Sequence, residues 1–564
     1  MKTLLLAAAL TAPLATPAVQ AAPAAQSVAP ARGVVTSADP RATEAGQAIL
    51  RQGGTATDAA MAMMLALTVV EPQSSGIGGG GFLVHNDGRT GKVETIDGRE
   101  TAPAADTARL FLGPDGQPLP FAQAFPGGRS VGVPGNVRLL AQAHKRWGKL
   151  PWKALFQPAI RLAEQGYAAT PPLVNGVRIV SPIWANTNFD DARALYGDAK
   201  VGETIKNPRL AALLRTLSEQ GPDAFYTGDN ATELLRVATQ SRVAPSSMTA
   251  ADLAGYRAIE RAPVCGTYRR YRICSMAPPS SGGVTVLEIL GMLERFDLRK
   301  LGKDSPVAWH LIAEAMQLAY ADRDTYLGDP AFVNNPIAGM LAPAYLRQRS
   351  ALIAPDHALG TYAPGHPAGA GRMTAALSSE VPATTHFIAV DKRGDIATMT
   401  STVEGPFGSQ LIANGYVLNN ELTDFTFAPE KDGAPVANRP EGGKRPLSSM
   451  APTIVYDRSG KAIFSVGAAG GRTIIMQVAK ALIAHLDWGM PAREALGTPL
   501  IFFNADGLVL EQGTWLAAMK PALEKLGHRV TIGKLGLKAN AVEWTPRGWV
   551  GAADPRSVGT ALPE

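Results

Sequence analysis

The stretch Thr384-Thr385-His386-Phe387-Ile388-Ala389-Val390-Asp391-Lys392-Arg393-Gly394 reads as the opening of a β-hairpin. Phe387 to Val390 is a short apolar run, Asp391 to Gly394 carries turn residues, and Ile396 to Val403 reads as the returning strand. On its N-terminal side, Asp356 to Ala383 is rich in Gly, Pro, Ala and Ser and has no apolar period. That composition predicts a flexible linker. A linker ending abruptly at a buried hairpin is a suitable place to cut a chain, although composition alone does not require a cut. Taken by themselves, Thr384, Thr385 and His386 are an ordinary polar strand start.

Beyond the hairpin, strands and helices alternate. Tyr416 to Leu418, Thr453 to Tyr456, Ala462 to Val466 and Leu508 to Leu510 read as strands, with further strands near Val530 and Val542. Arg472 to His485 and Trp515 to Leu526 read as helices. Before the linker, Asn136 to Arg349 is mainly helical, with Val137 to Trp147, Trp152 to Gln165, Val284 to Glu294 and Ala308 to Tyr326 as examples. Further upstream, Arg41 to Arg51 predicts a helix stopped by Gly53-Gly54, and Thr57 or Asp58 is expected to cap an uncharged helix, Ala59 to Val70. The latter is too short for a comfortable membrane span and fits a buried helix of a large core. The mixture predicts an α/β or α+β fold.

Composition narrows the function. The chain has 564 residues, 46% hydrophobic and 18% charged, with a formal charge of +6. That is a globular balance with only short basic clusters, such as Arg269, Arg270 and Arg272, so nucleic acid is not an expected partner. Lys2, the apolar stretch Leu4 to Leu14 and the small residues around Ala18 to Ala21 predict a signal peptide, residues 1–21, and a periplasmic or secreted protein with no stable membrane span afterwards. Residues 22–36 form the expected N-terminal leader. Cys265 and Cys274 are the only cysteines. In an oxidising compartment they either bridge or are kept apart by local geometry, and the sequence leaves both open. No His-x-x-x-His pair is present, so metal catalysis has no support. The run Gly78 to Gly81 lacks the Gly-Lys-Ser/Thr ending of a phosphate loop and fits close backbone packing better. Pro278 to Gly283 has no Gly-x-Ser-x-Gly elbow and reads as a turn into a helix.

The hairpin Thr384 to Gly394 resembles the start of the small subunit of γ-glutamyltransferases. So do Phe407-Gly408, Leu418-Asn419-Asn420-Glu421 with Asp424-Phe425, Arg445-Pro446-Leu447-Ser448-Ser449-Met450, and the glycine turn Gly467 to Gly471. Gly78 to Phe82 and Gly98-Arg99-Glu100 with Ala102-Pro103 resemble the large subunit, and all these motifs stand in family order. The resemblance implies the N-terminal-nucleophile hydrolase fold: an α+β, four-layer αββα sandwich. It also implies autocatalytic cleavage before Thr384, into a large subunit, 37–383, and a small catalytic subunit, 384–564, that remain a heterodimer.

The roles are likewise what the resemblance implies. Thr384 is the nucleophile, and its freed α-amine, titrating near about 7.7–8.0, serves as the base. Thr402 hydrogen-bonds the nucleophile. Gly470 and Gly471 supply oxyanion donors at a helix N-terminus. Arg99, Ser448 and Ser449 bind the substrate α-carboxylate. Glu421 and Asp424 accept from its ammonium. Glu404 stands where several relatives carry Asn, which would alter the charge of the pocket. The loop Thr426 to Arg445 has no Tyr and is short, predicting an open cleft. No cofactor is implied. The expected substrates are glutathione and other γ-glutamyl amides, with water, amino acids or peptides as acceptors. A glutaryl-side-chain cephalosporin acylase and a non-catalytic exported binding protein are the rival readings.

Overall fold

The structure is a computed structural model of the single uncleaved chain, describing residues 29–186, 189–375 and 383–564. The expected signal peptide, residues 22–28 of the leader and residues 376–382 of the linker lie outside the described residues.

The alternation of the Thr384–Val390 strand explains the layering. Ile388 and Val390 point into one hydrophobic core, Phe387 and Ala389 into another. Both faces are apolar because both are covered. This strand lies inside a seven-stranded sheet in the order Thr560–Pro563, Val34–Ser37, Thr384–Val390, Ile396–Thr402, Gly80–Asn86, Val93–Asp97, Ile259–Arg261. A six-stranded sheet runs Gly548–Ala553, Lys538–Thr545, Ala462–Ala469, Thr453–Tyr456, Tyr271–Ser275, Val264–Tyr268. Val34, Phe82, Val84 and Ile388 of the first sheet share a core with Ile454, Phe464, Val466 and Val542 of the second. Helices Ala56–Val70, Asn136–Trp147 and Trp152–Gln165 build the outer layer on the first sheet, and Gly282–Leu293, Pro306–Tyr326 and Thr473–Leu486 cover the second. The result is the expected αββα sandwich of α+β class.

The uncharged helix begins earlier than expected. It spans Ala56–Val70, every residue buried, and Thr55 caps it in a reciprocal pair with Asp58. The predicted helix Trp515 to Leu526 divides into a 3-10 turn, Trp515–Met519, and a helix, Lys520–Lys525, because Pro521 fits only a first turn. Cys265 and Cys274 face each other across the Val264–Tyr268 and Tyr271–Ser275 hairpin and are joined in a disulfide.

The expected flexible linker is tied down over its first half. Glu314 accepts from the Leu359 amide at 3.0 Å and Asp322 from the Gly365 amide at 2.6 Å. Tyr326 donates to the Gly365 carbonyl at 2.6 Å. Buried acids on the Pro306–Tyr326 helix need partners, and this segment supplies them. The glycine run packs backbone on backbone: a Cβ on Gly78 would sit 2.0 Å from the Val417 carbonyl, and one on Gly79 2.0 Å from that of Thr402.

Candidate active site

Thr384 is the first residue of its strand and pairs directly with Thr402, the last residue of the neighbouring one. Both are buried. Antiparallel pairing therefore places the hydroxyls side by side, and Thr384 donates to Thr402 at 3.3 Å. Thr402 donates in turn to the Ala383 carbonyl at 3.0 Å and accepts from the Glu404 amide at 2.8 Å. One chain of hydrogen bonds thus runs from the Thr384 hydroxyl to the carbonyl of the bond preceding it.

Glu404 follows in a left-handed conformation, φ 77°, rare for a residue other than Gly, Asn or Asp. Its carboxylate accepts from the Asn420 side chain at 2.7 Å. Asn420 leads directly into the turn Glu421–Asp424. On that turn, Glu421 and Asp424 both ion-pair with Arg99. The Arg99 guanidinium also donates to the carbonyls of Pro446, at 3.1 Å, and Leu447, at 2.8 Å. In this state Arg99 therefore organises two acids and the Arg445 to Met450 loop. A substrate carboxylate would compete with those acids for its donors.

The electrostatics are those of several acids sharing one buried cation. Burial raises Glu421 well above the usual carboxylate range, Arg99 opposing and Glu100 and Glu404 adding to the rise. Burial likewise pushes Glu100 up to about 8 against the pull of Arg99. Burial disfavours the Arg99 charge, yet the carboxylates of Glu421, Asp424 and Glu100 outweigh it and raise the group. Such a cluster can release protons or accept an ammonium without importing net negative charge.

Ser448 and Ser449 directly follow the Pro446 and Leu447 carbonyls that Arg99 holds. Ser449 accepts from Arg323 at 2.9 Å, and the Ser448 carbonyl accepts from the Ser281 amide at 2.7 Å. The Pro278 to Gly283 turn thus braces the serine loop. Gly470 and Gly471, φ 139° and 56°, form the turn between the Ala462–Ala469 strand and the Thr473–Leu486 helix. A helix start leaves its first N–H groups without helical acceptors. Gly470 and Thr384 line one cavity of about 460 Å³, together with Ala383. Arg99, Glu421, Asp424, Ser448 and Ser449 do not line it. The site thus has two parts, a cavity at Thr384 and the Gly470 turn and a buried charged cluster at Arg99, bridged by Glu404 and Asn420.

The fold agrees with the sequence comparison. The profile of the family described as Gamma-glutamyltranspeptidase matches residues 42–564. The chain belongs to the gamma-glutamyltranspeptidase family. Glutathione hydrolase proenzymes of Bacillus subtilis (strain 168) and Escherichia coli (strain K12) are 37% and 35% identical, covering 84% and 93% of this chain and 81% and 91% of theirs. The acylase ACY 1 proenzyme of Pseudomonas sp. (strain SE83) is 35% identical over 94% of this chain and 93% of its own. Among solved structures, a cephalosporin acylase from Bacillus halodurans superposes with TM-score 0.83 at 26% identity, covering 99% of both chains. As a member of the gamma-glutamyltranspeptidase family this chain is an autoprocessed enzyme of γ-glutamyl transfer and hydrolysis, with an N-terminal-nucleophile hydrolase fold.

Sequence reasoning passed over three site residues. Glu100 neighbours Arg99 in the quoted motif but received no role. Asn420, in the Asn419-Asn420 pair, joins the two halves of the site. Arg323 lies on the long helix Pro306–Tyr326, where nothing local marks an arginine as buried. In the uncut chain Thr384 is 5% and Arg99 1% exposed, while Thr426, Phe427, Ala428 and Lys431 of the Thr426 to Arg445 loop line a separate cavity of about 700 Å³. Asn438 donates to the Asp424 carbonyl at 2.6 Å and Arg445 to the Arg99 carbonyl, which ties the base of the loop down.

Proposed function

We propose that this chain cleaves itself between Ala383 and Thr384 and that the resulting N-terminal threonine transfers γ-glutamyl groups from glutathione and related amides to water, amino acids or peptides. The observation that carries this reading is the continuous hydrogen-bond chain from the Thr384 hydroxyl through Thr402 to the Ala383 carbonyl. A donor already aimed at the carbonyl oxygen stabilises the negative charge that forms there under attack. Thr384 Oγ1 bonds to the Ala383 carbonyl carbon, the C–N bond breaks, and the nitrogen takes the proton. The ester left behind is hydrolysed by water, leaving an Ala383 carboxylate and a free Thr384 amine.

In the mature enzyme that amine takes the proton of its own hydroxyl as the hydroxyl attacks a γ-carbonyl. Gly470 and Gly471 stabilise the oxyanion. The proton passes to the departing amine, and a γ-glutamyl ester remains on Thr384. Water or an acceptor amine then takes the acyl group. Arg99, helped by Ser448 and Ser449, holds the α-carboxylate, while Asp424, Glu421 and Glu404 receive the α-ammonium. Two fragments that share one sheet stay together as a heterodimer. Lys2, the apolar stretch to Leu14 and the Cys265–Cys274 disulfide support export to the periplasm or beyond. No helix among the described residues is long and apolar enough to cross a membrane.

The likeness to acylases gives a second reading, a glutaryl-side-chain cephalosporin acylase. Glutaryl has no ammonium, so Asp424 and Glu421 would have no substrate cation to receive. Rates on γ-glutamyl and glutaryl p-nitroanilides decide between them. The γ-glutamyl compound is expected to react faster and to leave one γ-glutamyl unit on the small fragment by quenched-flow mass spectrometry. Faster glutaryl release would overturn the substrate class.

A further inference from the structure

Away from the active site, the buried residues His310, Glu314 and His528 bring ligand atoms within 4.8 Å of one another. His310 and Glu314 are one turn apart on the Pro306–Tyr326 helix, so both project from one face. His528 follows Gly527, whose φ of 98° turns the chain back after the Lys520–Lys525 helix. His310 Nδ1 lies 2.7 Å from His528 Nε2, and Glu314 Oε1 lies 3.9 Å from the latter.

The outward contacts of the group are those of a supported ligand set. His310 Nε2 is 2.6 Å from the Ala354 carbonyl, so it carries the ring proton and Nδ1 presents a lone pair inward. Glu314 accepts from the Leu359 amide and the Tyr362 hydroxyl, which fixes its carboxylate. Metal-bound imidazoles and carboxylates are oriented by outer partners of this kind. Two histidines and a carboxylate are a zinc-type donor set.

We propose that His310, Glu314 and His528 bind a divalent cation of the zinc class, which clasps the C-terminal part of the chain to the helix and segment that lead toward the cleavage point. Capture requires the ring proton of His528 to move from Nε2 to Nδ1 and the two ring nitrogens to separate to about 3.3 Å, the span of two ~2.05 Å bonds in tetrahedral geometry. The ion takes no part in acyl transfer. It would join Ala354 to Tyr362 with the turn at His528, where the Ala358 amide already donates to the Leu526 carbonyl at 2.7 Å. This proposal is independent of the chemistry assigned to Thr384.

The test is equilibrium dialysis of full-length metal-stripped protein against Zn2+ alone, with metal content and melting temperature as readouts. The wild type and the uncut Thr384→Ala chain are both expected to hold one ion and to melt several degrees higher with it. His528→Gln and Glu314→Gln are expected to bind at least about 100-fold more weakly, and Tyr362→Phe about 10-fold more weakly. Tyr362→Phe removes only an outer hydrogen bond, so it keeps the test alive if a ligand variant fails to fold. No stoichiometric uptake by the wild type, or equal uptake and equal melting shifts in all variants, would leave only a hydrogen-bonded cluster with adventitious surface zinc and overturn the proposal.

Discussion

The hydroxyl of Thr402 has two tasks at once: it accepts from the Thr384 hydroxyl and donates to the Ala383 carbonyl, the group that Thr384 would attack in the proposed self-cleavage. Replacing the hydroxyl by a methyl group of the same shape removes both tasks together. Thr402→Val is expected to slow self-cleavage of purified precursor about 100-fold or more in a timed denaturing gel, while Thr402→Ser retains most of the rate. The charged cluster makes a separate prediction. Asp424→Asn weakens the acceptor for an ammonium, so the γ-glutamyl over glutaryl preference in kcat/KM should fall about 10–100-fold. Glu100 links the cluster to pH. Its folded form binds a proton up to about 8, against an ordinary value of 4.5, so the folded state holds the extra proton between those limits. Stability from this group is complete below pH 4.5 and is lost as pH rises toward 8. One proton corresponds to a slope of about 1.4 kcal/mol per pH unit. Glu100→Gln should flatten the fall of denaturant stability over that window, and an unchanged slope would remove Glu100 from the account.

At the scale of the element, position along a strand matters more than propensity. The hairpin at Thr384 was legible because its apolar run, turn and return strand are contiguous. Its register, which sets Thr384 opposite Thr402, was not, since no local signal says how far the return strand slides. The buried helix was legible from the uncharged run Ala59 to Val70, but it starts three residues earlier, at Ala56, because Thr57 and Asp58, which also read as caps, lie inside its first turn. The Thr55-x-x-Asp58 spacing is the local capping-box signal that places the start. The glycine run repeats the limit met in the register: close packing was expected, but its partner was not. Gly79 presses on the Thr402 carbonyl, and its φ is one that alanine tolerates, so alanine there acts through the clash. Gly79→Ala is expected to slow self-cleavage and lower the melting temperature together. A variant that melts lower but cleaves at the normal rate would uncouple this packing from the site.

Across the whole molecule, the seven-stranded sheet interleaves the two sides of the proposed cut. Thr384–Val390 lies between Val34–Ser37 and Ile396–Thr402, and Thr560–Pro563 pairs with the other edge of Val34–Ser37. Cleavage would therefore free an amine without freeing a domain, and the fragments should co-elute in native size-exclusion chromatography and part only in denaturant. The layer order was legible from alternating strands and helices once the family motifs were read in sequence. The division of the site into a cavity at Thr384 and a buried charge cluster was not, because it arises from Arg99 meeting Glu421 and Asp424 over more than three hundred residues of chain. The proposed activity rests on an amine being released on the residue that bears the attacking hydroxyl. N-terminal sequencing of the smaller fragment of active protein, beside Thr384→Ala, tests that most directly. The account predicts Thr-Thr-His-Phe from Thr384 in the wild type and one uncut chain in the variant; a different first residue, or a variant that still splits there, would contradict it.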